Sequence, residues 1–564
     1  MFIEFKTEVE HVLKEALEKA SYKYESLDLA ESDHADISSR VAFALAHEYK
    51  NSPKSIAEAI VKHIALPTED TLISDAVTAG PYINFYVNEL YLHESLQRID
   101  AGSVQTDSKK KGRIVIEHTS ANPDGPLHIG HLRNAIIGDG LARVLKRAGY
   151  DVETQYYVND MGRQIAVVVW GAERMPVATT KKADHAIVDV YIAANRLLEE
   201  HEEYQSELKA IMGLYESGDE LVVQKYETLV SMSLSGIQES LKLLNIQHDR
   251  FVYESVFVRD GSVADVVEEL TREGNIKREG SALLLQLDGI EKELVLRRTD
   301  GTLLYTTRDL AYHRWKSNSC DRMIDVFGKD HELVSQQLTK ALALMGVRAP
   351  EFVIFAFVSL PTGSLSTRAG RYISADELMA KIEARAYEEV DKRRKDLDED
   401  KKREIAKKVG IGALRYDMVK VSPEKHIVFV FEDALDIEKK GAPFVQYSHA
   451  RACSILRAAE DSSFLTQGYN YDTVLLREES EKELIKKLAK FEYLVEVASV
   501  ELKLHLVAKY ARELADMFNV FYKFCPVLNV EESLMKERLH LVDCTRAVLR
   551  DVLDVLGIEA PDEM

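Results

Sequence analysis

Residues 114–135 read IVIEHTSANPDGPLHIGHLRNA, and this stretch carries the clearest structural pattern in the chain. The apolar run at 114–116 is typical of a strand buried in a parallel sheet. A loop rich in proline and glycine covers 121–130, and a helical run over about 131–148 leads to a second strand at 151–158. A strand, a glycine loop, a helix and a second strand in this order predict the opening of a doubly wound nucleotide-binding fold.

The tetrapeptide His128-Ile129-Gly130-His131 lies between the predicted first strand and the helix. A helix N-terminus supplies amide donors and a positive field for a phosphate, and a glycine lets a nucleotide approach the backbone. Histidine side chains placed here can donate hydrogen bonds to charge that develops on a phosphate. Two histidines at this spacing around a glycine arise by chance only about 0.02 times in a chain of this composition. The alternative interpretation is that the histidines only cap the helix.

The sequence before this stretch predicts a separate α+β unit. Helices are predicted at 5–20, about 38–50 and 53–64, and a short strand is predicted at 82–87. The polar residues at 102–112 are typical of a linker. We therefore expect an N-terminal domain over residues 1–108.

The sequence after it divides into an α/β part and a helical part. Mostly helical, acidic sequence at about 175–250 interrupts the α/β part. Strands that would complete the parallel sheet are expected near 293–298, 323–327 and 352–358. From about residue 376 nearly all of the chain has helical patterning, and the charged run at 391–403 is expected to be a solvated helix or loop. The predicted fold class is therefore multidomain α/β, with a Rossmann-like parallel-sheet domain over 109–382 and a helical domain over 383–564.

Composition excludes several classes of protein. The chain of 564 residues has 73 basic and 94 acidic side chains, a formal charge of −21, so any contact with nucleic acid must use local basic patches. Its four scattered cysteines provide neither a disulfide framework nor a CxxC metal site, which favours a reducing, cytoplasmic location without protein-bound zinc. No apolar run approaches the length of a membrane span, and charges interrupt the N-terminus too early for a signal peptide.

The residues around the tetrapeptide resemble a known family. Residues 121–127 (ANPDGPL) and 132–135 (LRNA) are similar to the signature loop of class I aminoacyl-tRNA synthetases, in particular of the arginyl-tRNA synthetases. The similarity continues at 34–38, 80–85, 441–451, 514–528 and 555–564. It spans nearly the whole chain and is weakest at 175–240 and 391–403.

The resemblance implies a ligase that joins L-arginine to tRNA(Arg) and uses ATP with Mg²⁺. It implies that His128, Gly130 and His131 bind ATP and that the two histidines take part in catalysis. It also implies that tRNA must be bound before arginine is activated. A parallel-sheet catalytic domain, an N-terminal domain that contacts tRNA and a helical anticodon-binding domain are the expected parts, and we expect a monomer that does not bind membranes.

A second ATP-binding loop is expected at 363–368 (GSLSTR), directly after the predicted last strand. By resemblance, Ser366, Thr367 and Arg368 would hold the β- and γ-phosphates as pyrophosphate leaves, with Arg368 as a catalytic residue. Ser364 stands where the family has its first lysine. The source of one phosphate-stabilising cation therefore stays open, and Lys329 is a candidate.

A guanidinium group is held best by carboxylates in bidentate geometry. Tyr305 and Asp309 stand four residues apart, so they share one face of a predicted helix. The resemblance implies that Asp309 binds the arginine guanidinium and that Tyr305 lines its pocket. It assigns further arginine contacts to Glu117, Asn122, Glu254 and His331. An ordinary exposed helix face is the alternative for Tyr305 and Asp309.

The resemblance also implies four residues that contact tRNA. They are Asn84 and Tyr86 in the N-terminal domain, and Tyr447 and Met564 in the helical domain. Aromatic side chains on helices can stack on splayed bases, so Phe521 and Tyr522 are further candidates, although most aromatics in a helical bundle belong to its core.

Three other functions fit part of the sequence. A small nucleotidylyltransferase would explain the HxGH tetrapeptide, but it needs neither the N-terminal nor the helical domain. A non-catalytic tRNA-binding protein would explain those domains, but not the intact His128, His131 and Asp309. Another class I synthetase would explain the nucleotide motifs, but not Glu254, Tyr305 and Asp309 together.

Overall fold

The computed structural model of this chain describes residues 1–32, 34–66, 70–100, 111–273, 275–299, 301, 303–361, 373–460 and 473–564. Within the N-terminal part, four helices cover one antiparallel sheet with strand order β1-β2-β4-β3. The elements are α1 (Phe2–Lys19), β1 (Leu29–Ser32), β2 (Ala35–Ser39), α2 (Val41–Tyr49), α3 (Pro53–Val61), β3 (Ile73–Ala79), β4 (Tyr82–Val87) and α4 (Glu89–Asp100).

The apolar spacing that predicts α1 also explains how it packs. Phe5, Val9 and Leu13 recur on one face of the helix and are fully buried. The predicted helices and the strand at 82–87 are confirmed. The sequence interpretation missed β1, β2 and β3, and residues 38–39 belong to β2 instead of the following helix. These strands (LAES, ADISS and ISDAVTA) are rich in small and polar residues and lack the run of aromatic and β-branched residues that marks β4.

The central part is built on a five-stranded parallel sheet with strand order β12-β11-β5-β6-β7. Its first half contains β5 (Arg113–Glu117), α5 (Ile129–Arg147), β6 (Asp151–Val158), α6 (Arg163–Ala172), α7 (Ala183–Glu200), α8 (Tyr204–Ser217), α9 (Glu220–Leu243) and β7 (Arg250–Tyr253). Its second half contains α10 (Glu254–Arg259), α11 (Ser262–Glu273), β8 (Asn275–Glu279), β9 (Ala282–Leu287), β10 (Ile290–Arg297), α12 (Tyr305–Ser317), β11 (Arg322–Gly328), α13 (Glu332–Leu344) and β12 (Glu351–Phe355). The predicted opening of β5, α5 and β6 is confirmed.

One strand assigned to the parallel sheet lies elsewhere. The strand expected near 293–298 is β10, which pairs antiparallel with β9 in a separate three-stranded sheet. Its buried Leu294 and Leu296 alternate with the half-buried Glu293, Val295 and Arg297, which is typical of a sheet with one face packed on a core. The fifth parallel strand is β7, whose four residues are too few to stand out in the sequence. The strand expected at 352–358 ends at Phe355.

The C-terminal part is helical, as predicted. It contains α14 (Ala375–Arg393), α15 (Glu399–Val419), α16 (Phe431–Leu435), α17 (Ala442–Glu460), α18 (Glu479–Ala489), α19 (Phe491–Glu501), α20 (Leu504–Phe524) and α21 (Glu532–Val555). Two short parallel strands, β13 (Val358–Ser359) and β14 (Ile427–Val428), join it to the central part. Helix α5 packs against α15, α19, α20 and α21, so the helix that begins beside His128 is covered by the C-terminal helices.

Most residues of the charged run at 391–403 are exposed, as expected for a solvated helix or loop, but one lysine is buried. It spans the end of α14, a turn and the start of α15. Lys402 is buried and its Nζ donates to Asp391 at 2.8 Å and to Glu399 at 3.3 Å. Arg394 donates to the backbone carbonyl of Met564 at 3.0 Å. The run therefore folds back on itself and holds the end of the chain.

Among the helices of the described residues, none combines the length and the apolar character that a membrane crossing requires.

Candidate active site at the carboxyl edge of the parallel sheet

The side chain of His128 caps helix α5. Its Nδ1 accepts hydrogen bonds from the backbone N–H of Gly130 at 3.1 Å and of His131 at 3.4 Å. In return, His131 Nδ1 accepts from the backbone N–H of His128 at 3.4 Å. Because both Nδ1 atoms are acceptors, this bonding assigns the ring proton of each histidine to Nε2. The capping interpretation therefore accounts for one nitrogen of each ring and leaves the other as an N–H donor.

The two rings form a stacked pair with centroids 3.7 Å apart and planes inclined by 15°. Burial lowers the pKa of both His128 and His131, and the neighbouring His128 lowers that of His131 further. Both rings are thus neutral at pH 7 and can donate without carrying charge. A Cβ on Gly130 would lie 3.0 Å from Cε1 of His128, so a side chain there would press on the capping ring.

The start of α14 lies directly against this histidine pair. Ser374 forms an isolated β-bridge with His128, and the backbone N–H of Ala375 donates to the carbonyl of Leu127 at 2.7 Å. The predicted second ATP loop, with Ser364, Ser366, Thr367 and Arg368, lies outside the described residues, which resume at residue 373. Ile373, the first described residue after the loop, immediately precedes the Ser374 bridge to His128.

A row of polar side chains crosses the sheet level with the last residue of β5. Asp325 on β11 pairs in register with Glu117 on β5, and Glu117 pairs with Gln155 on β6. All three are buried. Helix α12 lies over this row, and its Tyr312 hydroxyl donates to Gln155 Oε1 at 2.8 Å while its Lys316 Nζ lies 3.0 Å from Glu117 Oε2. Glu117 is therefore at the site, but one of its oxygens is bound by a lysine of the same chain.

Tyr305 and Asp309 occupy the first turns of α12, as the sequence predicts. The Tyr305 side chain is 55% exposed, and the Asp309 carboxylate lies 3.1 Å from Nδ1 of His313, with a side chain that is 17% exposed. Asp309 also lines a narrow pocket between α12, α13 and β10. The alternative of an ordinary exposed helix face fits Tyr305 but not Asp309.

Glu254, the first residue of α10, faces a guanidinium of its own chain. Its Oε1 lies 3.5 Å from Nη1 of Arg308, and the side chain is almost fully buried. Burial raises the pKa of Glu254 to about 7, with Arg308 opposing the rise. Glu254 Oε2 and the nearby Tyr157 hydroxyl are buried and have no hydrogen-bond partner among the described residues. Buried polar groups without partners are rare in folded proteins, and a polar ligand at this point would satisfy both.

The last two predicted arginine contacts lie at the same edge but are less enclosed. Asn122 is in the loop before His128, and its Nδ2 donates to Gln164 on α6 at 3.3 Å. His331 follows β11, is largely exposed, and meets the ring of Phe327 edge-on at 5.7 Å. No contact within the described residues joins His331 to Asp309.

The predicted tRNA contacts differ in how accessible they are. Asn84 is buried in β4 and accepts from the Ser38 hydroxyl at 2.6 Å, so its side chain has a structural partner and does not reach the surface. Tyr86, two residues later, is partly exposed and donates to the His34 carbonyl at 2.9 Å. Met564 packs against the hydrophobic cluster between α14 and α15.

Tyr447 belongs to an exposed group that the sequence reveals only in part. The guanidinium of Arg451 lies 4.8 Å from the ring centroid of Tyr447 on α17 and 4.8 Å from that of Tyr522 on α20. Both rings are exposed, whereas Phe521 is fully buried. The pairing across two helices selects Tyr522 over Phe521, a distinction that needs the packing of α17 on α20.

Comparison with known proteins agrees with this geometry. A family model described as tRNA synthetases class I (R), catalytic domain, matches residues 95–431. The Arginyl tRNA synthetase N terminal domain matches residues 4–87, and the DALR anticodon binding domain matches residues 445–564. The parallel-sheet domain is thus that of a class I aminoacyl-tRNA synthetase.

Individual relatives narrow this class. The arginine–tRNA ligase of Methanococcoides burtonii is 50% identical and that of Archaeoglobus fulgidus is 45% identical, each with 100% of both chains covered. The solved structure of Thermus thermophilus arginyl-tRNA synthetase matches with a TM-score of 0.84 and 28% identity over 99% of both chains. The Plasmodium falciparum enzyme shares the fold, with a TM-score of 0.81 and 17% identity over the same shares. The chain belongs to the arginine–tRNA ligase family.

Proposed function

We propose a residue-level mechanism for the arginine–tRNA ligation that defines this family. In the first step, a carboxylate oxygen of L-arginine attacks the α-phosphorus of ATP. The bond from that phosphorus to the bridging oxygen of the β-phosphate breaks, which gives arginyl-adenylate and pyrophosphate. In the second step, a hydroxyl of the terminal ribose of tRNA(Arg) attacks the arginyl carbonyl and AMP leaves. The protein contributes positioning and charge stabilisation, without a covalent intermediate.

The stacked pair of His128 and His131 is the observation that carries this mechanism. Two neutral Nε2–H groups at the start of α5 suit an anionic phosphate whose charge grows during the attack. The 19-residue helix behind them adds the positive end of its dipole. We assign the nucleotide to this helix start, with Gly130 keeping the approach to the backbone open.

We assign the arginine substrate to the adjacent end of α12. Asp309 binds the guanidinium and Tyr305 covers it from the solvent side. Glu117 and Asn122 hold the amino end, while Glu254 adds negative charge beside the side chain. His331 is the outermost contact of this set.

The second ATP loop supplies the remaining phosphate contacts in this proposal. Ser366, Thr367 and Arg368 hold the leaving pyrophosphate, and Lys329 stands in for the cation absent at Ser364. Mg²⁺ accompanies the ATP phosphates, as it does in many nucleotide-binding sites, and needs no dedicated set of protein ligands. Two buried carboxylates of the site, Glu117 and Asp325, are already paired with Lys316 of the chain itself, which fits this assignment.

We further propose that tRNA binding uses all three domains, at 1–108, 109–382 and 383–564. Tyr86 contacts the tRNA body, while Tyr447, Tyr522 and the terminal Met564 receive the anticodon loop. The protein acts as a monomer in the cytoplasm, where its four free thiols remain reduced.

The experiment that tests this mechanism is arginine-dependent exchange of pyrophosphate into ATP, with and without tRNA(Arg). We expect exchange only when arginine and tRNA are both present. Exchange without tRNA would contradict the order of binding but not the ligase chemistry. A protein that binds tRNA and gives no exchange would be the non-catalytic relative considered above.

A further inference from the structure

Beneath the proposed arginine site, five buried or nearly buried charged groups of alternating sign form a continuous chain. Asp309 lies 3.1 Å from His313, and His313 lies 2.6 Å from Asp325. Lys316 then lies 2.6 Å from Asp325 and 3.0 Å from Glu117. His313, Lys316 and Asp325 have no exposed side-chain surface. The chain begins and ends at the two carboxylates assigned to the substrate.

His313 has acceptors at both ring nitrogens. Its Nε2 faces the Asp325 carboxylate, and its Nδ1 faces both the backbone carbonyl of Asp309 at 2.8 Å and the Asp309 carboxylate. A neutral imidazole has one N–H, so it would direct a lone pair at one of these oxygens. The contacts made within the described residues therefore fit the imidazolium, in which both nitrogens donate.

The electrostatics agree with this geometry. Burial and the Lys316 ammonium act to lower the pKa of His313, but Asp309 and Asp325 raise it to about 10. Lys316 stays charged for the same reason, since Asp325 and Glu117 outweigh burial and raise its pKa.

We propose that His313 is a positioning residue for arginine selection, which holds the Asp309 carboxylate in place and is itself fixed to the sheet by Asp325. The inference rests on the proposed role of Asp309. A carboxylate that rotates freely loses conformational entropy when it binds a guanidinium, and this weakens binding. A carboxylate held by a buried imidazolium is already oriented, so this loss is smaller. Asp325 lies on β11, which has a parallel neighbour on each side, so the orientation of Asp309 is tied to an internal strand of the sheet.

The distribution of charge gives a reason for this arrangement. Asp325 lies between two cations, His313 and Lys316. Burial raises the pKa of Glu117, and Lys316 opposes the rise. Asp309, which contacts His313 and is 17% exposed, is the carboxylate of this group that a substrate guanidinium can reach. An uncharged isostere such as citrulline cannot form that ion pair, so the site selects for charge as well as for shape.

A metal ion does not explain the same residues. Glu117, His313 and Asp325 are close enough together to hold one. However, the Lys316 ammonium already lies within hydrogen-bond distance of both carboxylates. The cation of this cluster is therefore the lysine of the chain itself.

The test compares His313→Gln, which cannot be a cation, with His313→Lys, which can. For His313→Gln we expect KM for arginine to rise about 10- to 100-fold, KM for ATP to stay unchanged, and the preference for arginine over citrulline to fall by a similar factor. His313→Lys should recover part of this loss. Arg538→Gln is the matched control, because it breaks a buried 2.7 Å ion pair with Glu481 far from the site. It should lower Tm and leave KM for arginine unchanged.

The proposed role of Asp309 is tested separately with Asp309→Asn, and the double variant measures the coupling. We expect Asp309→Asn alone to raise KM for arginine, and His313→Gln to add little to it, because both remove the same interaction. Fully additive effects, or a normal KM in His313→Gln when Asp309→Asn is impaired, would overturn the inference about His313 alone. A normal KM in Asp309→Asn would instead remove the proposed role of Asp309, and the inference with it.

A spectroscopic measurement covers the case in which His313→Gln does not fold. In protein labelled with ¹³C at histidine Cε1, the resonance that Asp325→Asn perturbs most should keep an imidazolium shift from pH 6 to pH 9. A resonance that titrates to the neutral form within that range would contradict the proposal.

Discussion

The guanidinium of Arg415 on α15 donates to the Asp139 carboxylate on α5 at 2.5 Å. The same side chain is fully buried and donates to two backbone carbonyls, that of Leu244 at 2.6 Å and that of Leu556 at 2.9 Å. Arg415 thus joins the end of the helical insertion, the end of the last helix and the middle of α5. Because α5 begins at His128, this contact connects the C-terminal helices to the helix that carries the histidine pair.

We predict that Arg415→Gln lowers the free energy of unfolding by about 3 kcal/mol, because it leaves buried oxygens without their donor. Urea denaturation measures the loss. Arg385→Gln is the control, since Arg385 makes an exposed ion pair with Glu432 and its loss should change stability by about 1 kcal/mol at most. Equal losses in the free energy of unfolding would show that the buried contacts of Arg415 stabilise the protein no more than an exposed ion pair does.

Gly557 lies against the Arg415 guanidinium, so substitutions there test the same buried contacts. It has a φ of +68°, and a Cβ there would lie 1.9 Å from Nη2 of Arg415. Gly557→Ala should therefore destabilise the protein by about 2 kcal/mol or more, through backbone strain and displacement of the guanidinium. Gly213, inside α8, has open space around it, so Gly213→Ala should stabilise by up to about 1 kcal/mol. Thermal unfolding of the two variants should shift in opposite directions.

The two functions of His128 can be separated by substitution. Asparagine is a good helix cap, so His128→Asn should keep the cap of α5 while it removes the Nε2–H donor. We expect a Tm close to that of the parent and a kcat for pyrophosphate exchange that falls about 100-fold. His128→Ala should lose the donor and also about 1 kcal/mol of stability from the cap.

The matched measurement is urea denaturation and exchange kinetics on both variants. If His128→Asn keeps the parent kcat, the histidine is only a cap and the proposed contact with ATP is wrong. If both variants lose stability equally, asparagine does not replace the cap that His128 Nδ1 provides, and the predicted separation of the two functions fails.

The residue pattern within one short stretch of sequence was enough to predict the opening of the parallel-sheet domain and the start of α5. The apolar run of β5, the glycine loop and the start of α5 are consecutive in sequence, and each has its own signal. β7 was not predicted, because four residues are too few to show a clear alternation of apolar and polar side chains. β10 was assigned to the wrong sheet because the choice of partner depends on chain segments far apart in sequence.

The site shows the same division. Two short motifs supply the predicted pairs, His128 with His131 and Tyr305 with Asp309. The members of each pair are three or four residues apart on one helix, so their spacing in sequence already implies that they are close in space. His313 and Lys316 were missed, although both continue the face of α12 that carries Asp309, at four and seven residues beyond it. A polar stripe of this kind looks like a solvated helix face, and only the register of Asp325 with Glu117 shows that it is buried.

Tyr447 and Tyr522 form an exposed surface at which we predict that substitutions weaken the use of tRNA without affecting arginine. Alanine at either position removes a ring that flanks Arg451, so kcat/KM for tRNA(Arg) should fall about 10-fold, while KM for arginine stays unchanged. Phe524 lies two residues beyond Tyr522 on α20 and points to another side of that helix, where it is 65% exposed. Phe524→Ala should leave aminoacylation unchanged. Equal losses in all three variants would indicate a general effect on α20 instead of base stacking.

The buried pair of His118 and His248 makes stability depend on pH. Their rings lie 4.2 Å apart, and His248 Nε2 is 3.2 Å from His118 Nδ1. Burial lowers the pKa of His248 to about 4 and that of His118 well below its ordinary value. As the pH falls below the unfolded value of about 6.5, the unfolded chain takes up protons that the folded pair does not.

Each of these two histidines should therefore reduce the free energy of unfolding by about 1.4 kcal/mol for every pH unit below 6.5. His313 acts in the opposite sense: its raised pKa gives stability that is complete below pH 6.5 and is lost toward pH 10, so it adds no slope in the acid range. Urea denaturation at pH 7, 6 and 5 measures the slope, and His248→Gln should reduce it by about one histidine's share. His11→Gln, at an exposed position of α1, is the control and should leave the slope unchanged. An unchanged slope in His248→Gln would show that His248 takes up its proton in the folded protein as well, and it would contradict the lowered pKa of this residue.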